Sequence, residues 1–269
     1  MEGPRRGRRV TEHRFTVDGN ELVGHLALPP GTSTRPVPGL VICHGFPAGI
    51  GGGANSARTY PELADRLANE MGWAALCFTY RGCGRSQGNF SMAGWLSDTR
   101  AAFQELHHHE RVGGVWAAGF GTGGALSICA AASDPAVRGV AALGAPADFD
   151  DWASHPRRLL DHAREQSAIS DPDFPASVDR WARELKEIRA VACATQLAPR
   201  PLLVVHGSDD DSVPVFDARV NSDAHGSADL RIIGGAGHQL RHDPRAIAVL
   251  LGWLDRQRHR HGGSAARTG

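Results

Sequence analysis

The chain has 269 residues, of which 41% are hydrophobic, enough for one α/β core with a modest insertion. Lysine plus arginine number 29 and aspartate plus glutamate number 29, so no net field favours nucleic acid or a membrane surface. Basic residues gather at Arg5 to Arg9 and from Arg256 to His261, and both clusters read as solvated, disordered ends (1–12 and 259–269) rather than binding arms.

From His13 to Leu28 two alternating segments flank Val17-Asp18-Gly19-Asn20, the pattern of a β-hairpin. Six short apolar runs follow, near residues 39, 73, 114, 138, 201 and 228. Continuous apolar runs of this length fit parallel strands covered on both faces. Helical stretches separate them, at Ala57 to Asn69, Met92 to Leu106, Thr122 to Ala132, Val215 to Ala224 and Pro244 to Arg258. The alternation predicts an α/β fold with a doubly wound, mostly parallel sheet and an N-terminal antiparallel hairpin over 13–258. Between Leu143 and Pro201 no strand pattern occurs. Phe174, Val178, Trp181, Leu185 and Ile188 line one helical face there, and a shorter helix starts after Ser154 with Pro156 in its first turn. This stretch, about 147–198, is expected to form a small helical cap above the strand ends.

Cysteines number five, and Cys43, Cys77 and Cys129 sit inside apolar runs, as buried free thiols of a reducing compartment do. No signal-peptide core follows the basic N-terminus and no apolar stretch reaches spanning length, so a soluble, cytoplasmic protein is expected.

Ligands of open α/β sheets bind beyond the carboxyl ends of the strands. Those ends carry His44-Gly45-Phe46-Pro47, then Tyr80-Arg81-Gly82-Cys83-Gly84-Arg85-Ser86, then Gly119-Phe120-Gly121-Thr122-Gly123-Gly124 running into a helix. Asp209, Asp210 and Asp211 follow His206-Gly207, and Gly237-His238 follows the last strand. Taken together and in this order, these motifs resemble the α/β-hydrolase superfamily, in particular its esterase and serine-aminopeptidase-like branches, over about residues 13 to 258. The resemblance implies an α/β-hydrolase fold and a triad whose slots are Gly121, Asp210 and His238. It also implies an oxyanion hole from the backbone amides of Phe46 and Thr122. Asp210 would orient His238 and steady its charged form.

The family's nucleophile elbow reads G-x-S-x-G, and this chain reads G-F-G-T-G. Gly119 and Gly123 keep the small flanks of the tight turn, but Gly121 has neither hydroxyl nor thiol, so no acyl-enzyme can form there. Taking Thr122 as nucleophile would put Phe120 where a small residue is required. Helix capping is the structural alternative for the three adjacent aspartates; with Asp210 as the acid, Asp209 and Asp211 are solvated neighbours. His242 is a rival to His238. Arg81 and Ser86 belong to a structural loop, and the consecutive His107, His108 and His109 diverge too far to share a metal. GFGTGG also approximates the dinucleotide fingerprint through Gly119, Gly121 and Gly124, yet it closes the third parallel strand instead of the first, and no ribose-binding acid ends the next one.

Three functions follow. The first is an esterase-like hydrolase acting on a small apolar or ester-like molecule without a covalent intermediate, His238 and Asp210 serving as a general base. The second is a non-catalytic binding protein, a pseudo-hydrolase, and the third a serine-type esterase or peptidase with another nucleophile. All are cofactor-independent and need no metal, and the partner is a small molecule, with neither nucleic acid nor membrane. Phe46, Phe120, Trp152 and Trp181 suggest an apolar pocket. Oligomeric state leaves no trace in the sequence.

Overall fold

The computed structural model describes residues 12–31, 35–47 and 52–265, with only the backbone of 52–58 and 261–265. The basic cluster Arg5 to Arg9 lies outside the described residues.

Strands β1 (Glu12–Val17) and β2 (Asn20–Ala27) form the expected hairpin. Both turn residues are left-handed, Asp18 at φ 50° and Gly19 at φ 79°, which matches the twist of the strands they join. The six apolar runs form β3 (Val37–Cys43), β4 (Ala74–Phe78), β5 (Val112–Phe120), β6 (Val137–Leu143), β7 (Leu202–Gly207) and β8 (Asp229–Ile233). One sheet holds them in the order β1-β2-β4-β3-β5-β6-β7-β8. Strand β2 meets β4 antiparallel, and all pairings from β4 to β8 are parallel.

Side chains alternate between two cores, which is why the runs are apolar throughout. On β3, Val41 and Cys43 enter one core while Leu40 and Ile42 enter the other, and on β4 Leu76 and Phe78 oppose Ala75 and Cys77. Helices α1 (Gly52–Arg66), α2 (Met92–His107) and α3 (Thr122–Ala132) connect the first four parallel strands. Helix α1 begins earlier than the pattern from Ala57 indicates, because its leading glycines lack helix propensity. It passes into a π turn, Leu67–Met71, closed by left-handed Gly72 at φ 73°.

Between β6 and β7 lie α4 (Asp150–Ser154), α5 (Pro156–Glu165), α6 (Val178–Glu187) and α7 (Ala190–Leu197). Pro156 opens α5 as expected. The single amphipathic face is shorter than its sequence pattern: Phe174 precedes α6, and Ile188 is already extended at φ −96° and ψ 102°. Helix α7 is a further departure, since it packs on α3 and on α8 (Val215–His225) as part of the layer covering the sheet, not above the strand ends. The last helix, α9 (Pro244–Ala265), lies against the opposite face with α1 through Leu250, Trp253 and Leu254. It runs past Arg258, where the apolar period stops, so the expected disordered tail from 259 begins as helix, and residues 266–269 lie outside the described residues.

Candidate active site

The chain crosses from β3 to β4 on one side and later to β5 on the other, so the carboxyl ends of β3 and β5 meet where the winding reverses. Gly121 stands there between β5 and α3 with φ 53° and ψ −127°, a conformation that side-chain-bearing residues adopt only under strain. Its N–H donates to the Leu143 carbonyl at 2.8 Å, and its own carbonyl accepts from Gly124 at 2.9 Å, so the turn is fixed on both sides. The flanking glycines are packing requirements. A Cβ on Gly119 would lie 2.3 Å from the Gly123 oxygen, and one on Gly123 would lie 2.3 Å from the His44 oxygen. Close passage of strand, turn and helix accounts for the run of glycines without a nucleotide.

Asp210 follows β7 and His238 follows β8, and the two meet. His238 Nδ1–H donates to Asp210 Oδ2 at 2.9 Å, which aims Nε2 at Gly121. The Asp210 side chain is buried, whereas that of His238 is 31% exposed. Asp210 has further donors. His206 Nε2–H lies 3.2 Å from the same oxygen and 3.0 Å from the Val213 carbonyl. Oδ1 accepts from the amides of Ser212 at 3.0 Å and Val213 at 2.8 Å. Burial alone would raise this carboxyl, but hydrogen bonds from His206, His238 and Val213 outweigh it and hold Asp210 well below the usual carboxylate range. It therefore takes amides of the turn before α8, as a capping group would, while also holding His238. Asp209 and Asp211 are exposed, and His242 makes no bond to Asp210.

The β3 end is set by His44, which is buried. Its Nε2 accepts the Tyr80 N–H at 3.1 Å and its Nδ1–H donates to the Gly45 carbonyl at 2.6 Å. Both bonds need the neutral ring, and burial pushes its pKa down to about 4. Because a peptide is planar, fixing the Gly45 carbonyl also fixes the direction of the Phe46 N–H. The amides of Phe46 and Thr122 have no acceptor among the described residues.

A cavity of about 170 Å³ opens at this point, lined by Phe46, Phe120, Gly121 and His238. Tyr60 and Arg241 line it too, so it is less apolar than the sequence suggested. Of the two expected tryptophans, Trp152 borders a separate groove of about 650 Å³ along α4 and α5, and Trp181 is buried with its Nε1–H on the Phe90 carbonyl at 3.1 Å. His206, Tyr60 and Arg241 escaped the sequence reading. His206 passes for part of a strand-end HG pair, and Tyr60 lies far away along the chain.

Arg81 and Ser86 are structural here. Arg81 grips Asp98 at 2.6 Å and Asp18 at 2.8 Å, and Ser86 Oγ accepts from the Val23 amide at 2.9 Å. Among the described residues no group of histidine, cysteine and carboxylate side chains is arranged to hold a metal, and no helix is long and apolar enough to cross a membrane.

The fold is that of esterases. Est1E from Butyrivibrio proteoclasticus, solved with ferulic acid bound, matches with TM-score 0.68 and 22% identity over 88% of this chain and 94% of its own. The α/β hydrolase GrgF from Penicillium sp. sh18 matches with TM-score 0.71 and 19% identity over 92% of this chain and 98% of its own. Esterase Pf2001 of Pyrococcus furiosus matches with TM-score 0.64 and 15% identity over 92% and 90%. A search of curated proteins finds no match. The alpha/beta hydrolase family pattern matches residues 40–250, and the chain belongs to that family.

Proposed function

We propose that this chain hydrolyses a small ester-like molecule without a covalent intermediate, with His238 as general base. One observation carries the reading: Nε2 of His238 lies 3.3 Å from where a Cβ of residue 121 would stand, and glycine leaves that place open. In this scheme a water occupies the space of the absent side chain. His238 Nε2 takes its proton as the oxygen attacks the ester carbonyl, and Asp210 steadies the imidazolium. The negative charge on the carbonyl oxygen falls to the Phe46 and Thr122 amides. Collapse expels the alcohol, which takes the proton back from His238. No cofactor or metal enters these steps. The family's esterase neighbours, one of them binding ferulic acid, support a small-molecule ligand. Free, buried Cys43, Cys77, Cys83 and Cys129 support a reducing, cytoplasmic setting.

A second reading, a binding protein without turnover, is favoured by the bonds of Asp210 to His206 and to the loop amides, since these give the acid a structural reason to be present. Hydrolysis of a panel of activated esters by wild type and His238→Ala separates the two. Turnover lost in the variant supports the hydrolase, and turnover in neither supports the binding protein.

A further inference from the structure

Among the described residues Arg241 is a cation without a carboxylate partner. It sits in the 3-10 turn Leu240–His242, directly after the catalytic candidate, and the Leu240 N–H donates to the His238 carbonyl at 2.8 Å. The turn that fixes His238 therefore fixes Arg241 beside it, and both side chains line the same cavity. Among the described residues no carboxylate lies within ion-pair distance of the guanidinium, and its Nε is buried without a hydrogen-bond partner. Residues 48–61 contain neither aspartate nor glutamate. Asp211 at the cavity rim is exposed and accepts from its neighbour Ser212 Oγ at 3.0 Å.

Guanidinium stays charged in proteins, and Arg241 is half-buried with its Nε out of water, where a charge is ordinarily paired. Tyr60 lines the same cavity, close enough for the charge of Arg241 to act on its phenol. Burial raises the Tyr60 phenol, against the lowering field of Arg241, so it keeps its proton. A protonated phenol has an O–H to donate. Arginine N–H groups and a tyrosine O–H thus line the same cavity as His238 and Gly121.

We propose that Tyr60 and Arg241 bind a carboxylate of the ligand in this cavity. The molecule taken is then a small acid whose ester group lies at His238, such as a half-ester of a short dicarboxylic acid, and not a wholly neutral ester. Naming the ester end rests on the hydrolase reading. The carboxylate anchor does not, because it needs only the cavity.

Half-amides of straight-chain dicarboxylic acids, from malonamate to adipamate, imitate such half-esters without being cleaved, and their diamides differ only in lacking the charge. Calorimetry at fixed pH and salt should show at least one half-amide binding wild type ~10-fold or more tighter than its diamide, the scale of charge-assisted hydrogen bonds. Arg241→Met should shrink that preference to about twofold, with Arg241→Lys between, since lysine keeps the charge but not the fork. Tyr60→Phe gives a smaller loss and serves as a second variant should Arg241→Met misfold. Equal binding of half-amide and diamide, binding of neither, or a preference that survives Arg241→Met overturns the proposal. His238→Ala tells the two readings apart. The preference should persist in it while hydrolysis of half-esters is lost, and a wild type that prefers half-amides yet cleaves nothing sinks only the hydrolase.

Discussion

A Cβ placed on Gly121 would stand 3.3 Å from Nε2 of His238 and 3.6 Å from its Cε1. The imidazole, aimed by Asp210, is thus already where a side chain at residue 121 would need its proton acceptor. Restoring that side chain tests the whole arrangement. Gly121→Ser puts a non-glycine residue at φ 53° and ψ −127°, a strain of roughly 1–3 kcal/mol. Its thermal midpoint should fall on the scale of about 2–4 °C per kcal/mol. The same variant should gain ester hydrolysis and react with a fluorophosphonate. Gly121→Ala carries the strain without the hydroxyl, so it should lose similar stability and gain nothing. A folded Gly121→Ser inert to ester and probe would mean that His238, Asp210 and the two amides are not a poised set.

Wild type should leave a fluorophosphonate probe unreacted, since the elbow presents no hydroxyl or thiol at residue 121. Intact mass spectrometry reads this directly. One stoichiometric adduct on a serine lining the cavity would restore a serine-type esterase.

Asp210 is expected to matter for stability whether or not the protein turns over. Asp210→Ala strips the acceptor from His238, His206 and the amides of Ser212 and Val213 together. Loss of a buried, multiply bonded charge costs about 3 kcal/mol or more. Urea unfolding measures it, and a variant within about 1 kcal/mol of wild type would show that the turn before α8 does not depend on the carboxylate.

Acid should weaken the protein in a window set by His44. Its pKa falls from an ordinary 6.5 to about 4 on folding, so the unfolded chain binds the extra proton between those values. The associated stability is complete above pH 6.5 and drains as pH falls toward 4, amounting to about 3 kcal/mol by linkage. Asp210, depressed below its ordinary 3.8, adds its own loss only at lower pH. Thermal midpoints of wild type should therefore drop between pH 6.5 and 4.5, and those of His44→Gln should drop less. Parallel curves for the two proteins would remove His44 as the cause.

Much of this architecture is readable in the sequence because each strand is covered on both faces, leaving apolar runs such as Leu40 to Cys43 that have no other use. The motifs at the strand ends brought Asp210 and His238 into view for the same reason, since parallel strands deliver their carboxyl ends to one rim. Periodicity misled at Phe174 and Ile188, which pack beside α6 from loops and so extend its stripe without extending its helix. Trp181 looked like a pocket residue because burial leaves the same mark on sequence whatever is buried against. The Tyr60–Arg241 pair has no local pattern at all. One member sits in α1 and the other past β8, and only the fold makes them neighbours.

Phe46 belongs to two machines at once. Its amide is the proposed oxyanion donor, while its ring lies 5.3 Å from Trp152 in α4 and 5.6 Å from His162 in α5, with Phe90 at 5.0 Å behind it. The insertion between β6 and β7 is therefore no interchangeable lid. Grafting the corresponding segment from a relative would replace the aromatic seat on which this residue rests, and a transplant meant to change ligand preference would disturb charge stabilisation in the same stroke. Divergence of this protein toward new ligands is easier through the walls that Phe46 does not touch, the α1 and post-β8 side of the cavity.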